Sequence, residues 1–154
     1  MTTPTGKVLG IDPGTTTGIA CVKYHLSTFA TTERPMFQRM PQVSWVADCA
    51  SPFDTLRDTL RSAHPDTVIV VESTPTHGRN SGKAHVDEVV ALVNAYDRGN
   101  VVWVAPSFWK GQPAVKRVLD SFKEPSSIHA RDALGMAVAM GHRTFILGKP
   151  PRSK

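Results

Sequence analysis

The chain has 154 residues, a length typical of one domain with a buried core. No apolar run approaches the roughly 18 residues of a membrane span, and residues 1–5 lack the charged-then-apolar form of a signal peptide, so we expect a cytoplasmic protein. The two cysteines, Cys21 and Cys49, belong to no Cys-x-x-Cys pair, which predicts two reduced thiols.

The formal net charge of +5 is concentrated in the C-terminal third of the chain. Residues 107–154 carry nine lysines and arginines against three acids, a net of +6, whereas residues 1–106 carry nine against ten, a net of −1. A basic region beside an acidic metal site would suit a polyanionic substrate. The same asymmetry also occurs in proteins that bind nothing charged, so charge alone does not decide the partner.

The first elements predicted along the chain are strands in hairpin order. An apolar strand at 7–12 ends in Asp12, a Pro13-Gly14 turn follows, a second strand covers 18–24, and a third is predicted at 27–33. An acid at the end of a buried strand is costly unless a cation, a metal ion or a hydrogen-bonded phosphate compensates its charge. Aspartate before Pro-Gly is also a common turn former, so Asp12 alone does not establish a site.

The middle of the chain is predicted to form helices around one further strand. Residues 43–63 are predicted to be helical in two pieces, split near Ser51-Pro52, because proline suits the first turn of a helix. A strand of β-branched residues at 67–72 ends in the second strand-end acid, Glu72, and a polar loop follows at 74–82.

The remaining elements alternate between helix and strand. A helix is predicted at 83–97 and is ended by Arg98-Gly99-Asn100, a strand is predicted at 101–105, and two helices are predicted at 113–122 and 129–142.

Together these elements predict one domain, residues 1–148, followed by a disordered basic tail at 149–154. Their order predicts an α/β fold with a mixed five-stranded sheet flanked by helices, which is the arrangement of the ribonuclease H-like fold. In that fold, acids on the first strand, the fourth strand and the last helix converge.

Four side chains on these elements form a candidate set of metal ligands. Asp12 and Glu72 end two strands, while His129 and Asp132 lie three residues apart on the last helix, which places both on one helix face. Oxygen-rich sets of this kind suit hard divalent cations. Each residue alone has an ordinary structural explanation, so the prediction rests on the four together.

Four segments within about residues 7–142 resemble the RuvC-type Holliday-junction resolvases. The segments are Gly10-Ile11-Asp12-Pro13-Gly14 with Gly18, Glu72 at the end of a Val/Ile strand, Ala105-Pro106-Ser107-Phe108-Trp109-Lys110, and His129-Ala130-Arg131-Asp132-Ala133-Leu134. The Pro-x-x-Trp-Lys pattern is similar to phage-type members. His129 matches the version of the final-helix motif whose first ligand is histidine rather than aspartate.

The resemblance implies a crossover junction endodeoxyribonuclease, a hydrolase of DNA recombination and repair. Such an enzyme resolves four-way DNA junctions by paired symmetric nicks and acts as a homodimer, in a bacterial host's cytoplasm if it is phage-encoded. The helix at 83–97 is the candidate dimer surface. Two Mg²⁺ ions per site are implied, with Mn²⁺ as a substitute, and their ligands would be Asp12, Glu72, His129 and Asp132.

The resemblance also implies a catalytic lysine in addition to these four residues. Lys110 is the first candidate and Lys116 the alternative, because gaps leave the alignment of this segment open. The candidates for contacts with DNA are His77, Arg79, Asn80, Lys83, Lys116 and Arg117.

Two departures from the family pattern favour relaxed specificity for branched DNA. Bacterial members have an aromatic residue three positions after the second acid, whereas this chain has Pro75. The segment between Glu72 and Lys110 is also short, which reduces the contacts that could enforce selection of four-way junctions.

Three other functions share parts of this sequence pattern. A ribonuclease H-like or YqgF-type nuclease acting on RNA stays open, because the sequence does not distinguish the two substrates. An actin-like or sugar-kinase-like ATPase needs two Asp-x-Gly-Thr lobes, and this chain supplies one. A DNA-binding protein with a dead site would be expected to lack one of the four ligands, and all four are present.

Overall fold

The computed structural model describes residues 5–25, 41–73, 83–105, 107–122 and 127–151. The elements in chain order are β1 (Thr5–Asp12), β2 (Thr16–His25), β3 (Gln42–Ala50), α1 (Asp54–Ser62), β4 (Val68–Glu72), α2 (Lys83–Ala95), β5 (Val101–Val104), α3 (Pro113–Ser121), α4 (Ile128–Gly141) and a π-helical turn (His142–Ile146).

The strands form one mixed sheet in the order β3-β2-β1-β4-β5. The first three strands pair in antiparallel fashion, whereas β4 and β5 join β1 in parallel. This arrangement confirms the predicted α/β fold with a mixed five-stranded sheet flanked by helices. Because β1 and β4 are parallel neighbours, their C-terminal residues, Asp12 and Glu72, lie at the same edge of the sheet.

The prediction of a helix over the first part of 43–63 is wrong, because Gln42–Ala50 is a strand. Its residues pair with β2 from Lys23 back to Thr16, with a bulge between Cys21 and Val22. Valine and tryptophan in this segment favour a strand, and pairing satisfies backbone groups of β2 that would otherwise lack a partner. The second predicted piece is confirmed as α1. The strand predicted at 27–33 lies outside the described residues.

Alternate residues of the central strands point into two separate cores. Val8, Ala20 and Val22 pack against α4 and α3 on one face. On the other face, Leu9, Ile11 and Ile19 pack against leucines of α1 and valines of α2. This alternation follows from the two-residue period of a strand and buries both faces of the sheet.

The three helices predicted in the C-terminal half are confirmed within a few residues of their predicted ends. Gly99, at φ +84°, follows α2 in the left-handed conformation expected where a glycine ends a helix. Within the part of the chain that the structure describes, no helix is long and apolar enough to cross a membrane.

Both cysteines are free, and Cys49 lies in β3 rather than in the predicted helix. The beginning of the predicted disordered tail contacts the body of the domain. Arg143 accepts a backbone hydrogen bond from Lys149 and donates a side-chain hydrogen bond to the carbonyl oxygen of Pro150. Residues 152–154 lie outside the described residues.

Candidate active site

The site begins where β1 and β4 end side by side. Asp12 is 5 % exposed, so its carboxyl group is almost fully removed from water. The turn after Asp12 is held by Thr17, a fully buried residue whose hydroxyl donates to the carbonyl oxygen of Gly14 and accepts from the Gly14 amide. Glu72, at the end of β4, is partly buried.

Helix α4 reaches these strand ends because two glycines let it approach the sheet closely. A Cβ atom at Gly10 would overlap the carbonyl oxygen of Ala133, and one at Gly18 would overlap the backbone of His129 and Ala130. Both glycines belong to the first-strand motif. Their missing side chains therefore set the distance between α4 and the acids of the sheet.

The N-terminus of α4 is anchored on β3. Ser127 is the N-cap residue, and its hydroxyl accepts a hydrogen bond from the Ala130 amide at 3.1 Å. The same hydroxyl donates to the carboxylate of Asp48. This bond ties the start of α4 to the edge strand, next to the two helical residues predicted as ligands.

Three acids converge at this point. Asp12, Glu72 and Asp132 each offer one carboxylate oxygen, and these oxygens all lie within 4.8 Å of one another. His129 joins the cluster from α4, with its Nδ1 atom 3.1 Å from an oxygen of Asp12. If Nδ1 carries the proton and donates to Asp12, Nε2 stays available for a metal ion, which is the arrangement of many metal-binding histidines.

Burial is the main cause of the raised pKa of all three carboxyl groups, and repulsion between them adds to it. Burial raises the pKa of Glu72 to about 8, and the hydrogen bond and negative charge of Asp12 add to the effect. Burial also raises the pKa of Asp12, although its hydrogen bond with Glu72 opposes the shift. For Asp132 burial is again the main cause, followed by the charge of Glu72. A divalent cation would displace protons from these carboxyl groups and relieve the repulsion between them.

Lys110 is the basic residue whose positive charge lowers the pKa of all three acids. Its charge lowers the pKa of Asp12, of Glu72 and of Asp132, against the larger effect of burial. Its Nζ atom lies 5.9 Å from the centre of the neighbouring Trp109 ring. Lys116, the other candidate, lines a separate pocket beside α3. Of the two candidate lysines, Lys110 is therefore the one whose charge acts on the acids.

The predicted DNA contacts are described only in part. His77, Arg79 and Asn80 lie outside the described residues, as does the side chain of Lys83. Lys116 and Arg117 are exposed on α3, where they are free to meet an anionic ligand.

The sequence did not predict the residues that position the candidate ligands. Thr17 stood in the Thr15-Thr16-Thr17 run after the turn, and Ser127 stood directly before a helical run, which is a recognisable N-cap signal. Nothing in the sequence pointed to Asp48, because its partner lies 79 residues away in the chain.

No protein-family model matches the sequence, and no curated protein matches it. Two solved structures of RuvC from Thermus thermophilus match its fold. One structure of RuvC is 19 % identical, with a TM-score of 0.62 over 93 % of this chain and 97 % of that chain. RuvC in complex with a Holliday junction substrate is 16 % identical, with a TM-score of 0.65 over 95 % and 99 % of the two chains.

The likeness spans nearly the whole of both chains, so the sheet and its helices form a ribonuclease H-like α/β fold. Within that class, the chain has the fold of the RuvC Holliday-junction resolvase. The three carboxylates that this fold brings together form a candidate site for a divalent metal ion.

Proposed function

We propose that this protein is a metal-dependent endonuclease that resolves four-way DNA junctions by paired symmetric nicks, with relaxed specificity for branched DNA. The observation that carries the proposal is the convergence of Asp12, Glu72 and Asp132 within 4.8 Å on a RuvC-like fold. The matching RuvC structure that contains a Holliday junction supports the choice of substrate.

The donor set suits two Mg²⁺ ions, with Mn²⁺ as a substitute, because hard cations prefer carboxylate oxygens. When bound, such ions supply Lewis-acid stabilisation of a phosphate and a water molecule with a lowered pKa. Asp12, the most buried acid and the one that contacts His129, would hold both ions. Glu72 and Asp132 would each hold one side, and His129 would complete one ligand shell.

The remaining residues of the site supply positive charge that would stabilise the phosphates of the substrate. Lys110 would stabilise negative charge that develops on the phosphate, since its charge already reaches all three carboxyl groups. Lys116 and Arg117 would contact the DNA backbone, together with residues of the loop after β4. Paired nicks need two sites related by a two-fold axis, so we expect a homodimer.

The test is cleavage of a synthetic immobile four-way junction in Mg²⁺ and in chelator. Wild-type protein should cut only with metal. Asp12→Asn should lose at least about a thousandfold in rate while it still binds the junction, because losing the central anion destroys metal binding and lessens repulsion of phosphates. Asp66→Asn is the matched control, since the Asp66 side chain is 92 % exposed and lies before β4, at the end of the strand opposite Glu72.

Duplex DNA and RNA substrates belong in the same experiment. Preferential cleavage of RNA would replace this proposal with the ribonuclease alternative. Full activity of Asp12→Asn in Mg²⁺ would refute the assignment of the site.

A further inference from the structure

A pocket of about 360 Å³ lies between α3 and the segment that precedes it. Its walls include Pro113, Val115 and Leu119 of the α3 region and the half-buried Trp109. The volume falls within the range of about 300–1,000 Å³ that is usual for small-molecule sites. None of the roles assigned above to the acidic site occupies this space.

Charged groups line the pocket beside these apolar walls. Lys116 is exposed and Arg131 is half-buried, so the pocket presents two cations. Asp120 is its one acid among the described lining residues. Apolar walls that include an aromatic ring suit a nucleobase, and two cations suit a phosphate. A carboxylate can accept a hydrogen bond from the amino group of cytosine. This combination matches one nucleotide.

Two pairs of neighbouring residues connect the pocket to the acidic site. In the first pair, Trp109 lines the pocket and the charge of Lys110 lowers the pKa of the acids. In the second pair, Arg131 lines the pocket and Asp132 is one of the three acids. Neighbouring Cα atoms are about 3.8 Å apart. The Trp109 ring packs on Gly135, where an added Cβ would lie 2.6 Å from it, so this wall of the pocket lies against the helix that carries Asp132.

We propose that this pocket binds a single nucleotide of the strand being cut, within one or two positions of the scissile phosphate. The base packs between the apolar walls and Trp109, and its phosphate meets Lys116 and Arg131. This inference rests on the proposed nuclease function and adds to it a subsite that reads a base beside the cut.

Mononucleotide binding tests the pocket without any cleavage. The probe is deoxycytidine 5′-monophosphate, titrated into the full chain in chelator so that no metal ion bridges it to the acids. NMR should show a shift of the Trp109 indole signal, while the signals of Trp45 and Trp103, which do not line the pocket, stay in place. Deoxycytidine and deoxyribose 5-phosphate should each bind roughly tenfold more weakly, because each lacks half of the recognised groups.

Substitutions of the lining residues test whether the mononucleotide binds in this pocket. Lys116→Ala and Arg131→Ala should each weaken the mononucleotide roughly tenfold. Arg57→Ala is the control, since Arg57 lies on α1 and its ion pair with Asp54 is exposed. Unchanged binding in both pocket variants, or no shift at Trp109 at several millimolar probe, would overturn the proposal. Tighter binding of cytidine 5′-monophosphate than of the deoxynucleotide would overturn its assignment to DNA.

A second experiment connects the pocket to the substrate. Junctions that carry one abasic nucleotide at successive positions along the cut strand should show reduced cleavage at one position near the scissile phosphate, and Lys116→Ala should remove this position dependence. Equal cleavage at all positions would overturn the proposal. If no junction is cut at all, the nuclease function fails, whereas the mononucleotide titration still decides whether the pocket exists as a binding site.

Discussion

Crowding of three carboxyl groups at one sheet edge makes the stability of the metal-free protein depend on pH. The pKa of Glu72 is raised from 4.5 to about 8. Between these values the unfolded chain has released a proton that the folded chain retains. The free energy of unfolding therefore decreases as the pH rises through this interval, and the raised pKa values of Asp12 and Asp132 act in the same direction.

We expect urea unfolding in chelator to show a loss of about 1–3 kcal/mol between pH 5 and pH 8. One unit of pKa shift corresponds to about 1.4 kcal/mol, and solvent screening of the partly exposed Glu72 reduces the full value. Glu72→Gln should flatten the dependence, because glutamine does not titrate. A free energy of unfolding that increases with pH over this interval would contradict the expected protonation of Glu72.

Metal binding should reverse the dependence of stability on pH. Cations compete with protons for the carboxylates, so the increase in melting temperature caused by Mn²⁺ should be larger at pH 8 than at pH 6. Glu72→Gln should reduce the increase at pH 8, and Asp66→Asn should leave it intact. Equal increases in Glu72→Gln and wild type would mean that Glu72 is not a ligand.

We expect His129 to determine the preference between metals. His129→Asp should keep activity and shift the ratio of Mg²⁺- to Mn²⁺-supported cleavage toward Mg²⁺, because imidazole suits later metals and oxygen suits Mg²⁺. His129→Ala, which supplies no ligand, is the comparison variant. If both variants are equally inactive with both metals, His129 acts through its 3.1 Å contact with Asp12 rather than through ligation.

At the scale of elements, the site depends on how closely α4 packs against the sheet. Gly18→Ala would force the backbone at His129 away from β2, since the added methyl group overlaps it. Overpacking of this kind costs about 1–3 kcal/mol in stability, whereas displacement of a reacting group by about 1 Å can cost a hundredfold in rate. We therefore expect a large loss of cleavage with a modest decrease in melting temperature.

Cys21→Ala is the control for this element, because Cys21 lies on the same strand and packs against the core on the opposite face of the sheet. It should lower the melting temperature slightly and keep the cleavage rate. Wild-type cleavage by Gly18→Ala would show that the position of α4 tolerates more adjustment than its contacts indicate.

At the scale of the whole molecule, α2 is the surface on which we expect two copies to meet. Its Val89 and Val93 are buried in the protein's own core, whereas Val86 and Val90 are only partly covered and Ala91 is exposed. Val90→Lys should shift sedimentation equilibrium at micromolar protein from dimer to monomer and convert paired nicks into single nicks. Thr55→Lys is the control, because it adds the same charge on α1, away from the expected dimer surface. A wild-type monomer that makes paired nicks would contradict the dimer.

The basic C-terminal third should make junction binding sensitive to salt. Each phosphate contact releases counterions, so affinity measured with the inactive Asp12→Asn variant should fall at least about a hundredfold between 50 and 200 mM salt. Removing both Lys116 and Arg117 should reduce the salt slope by roughly two. Arg57→Ala should leave the slope unchanged. Salt-independent binding would refute the charge argument.

The sequence by itself determined the acids and their order in the fold. Asp12 and Glu72 were recognisable because a charged residue directly after a run of buried β-branched residues needs a compensating partner. The spacing of His129 and Asp132 predicted one helix face, and the alternation of helices and strands predicted the mixed sheet. These features depend on residues close together in the chain, where local periodicity carries the information.

Only the tertiary structure decided the remaining points, because they depend on contacts between distant segments. Residues 42–50 fit a helix or a strand by pattern, and pairing with β2 made them a strand. The effect of the Lys110 charge on the acids, and the position of Lys116 in the pocket beside α3, also depend on how distant segments pack. The contact of Ser127 with Asp48, and the approach of α4 over Gly18, join residues whose proximity no local pattern encodes.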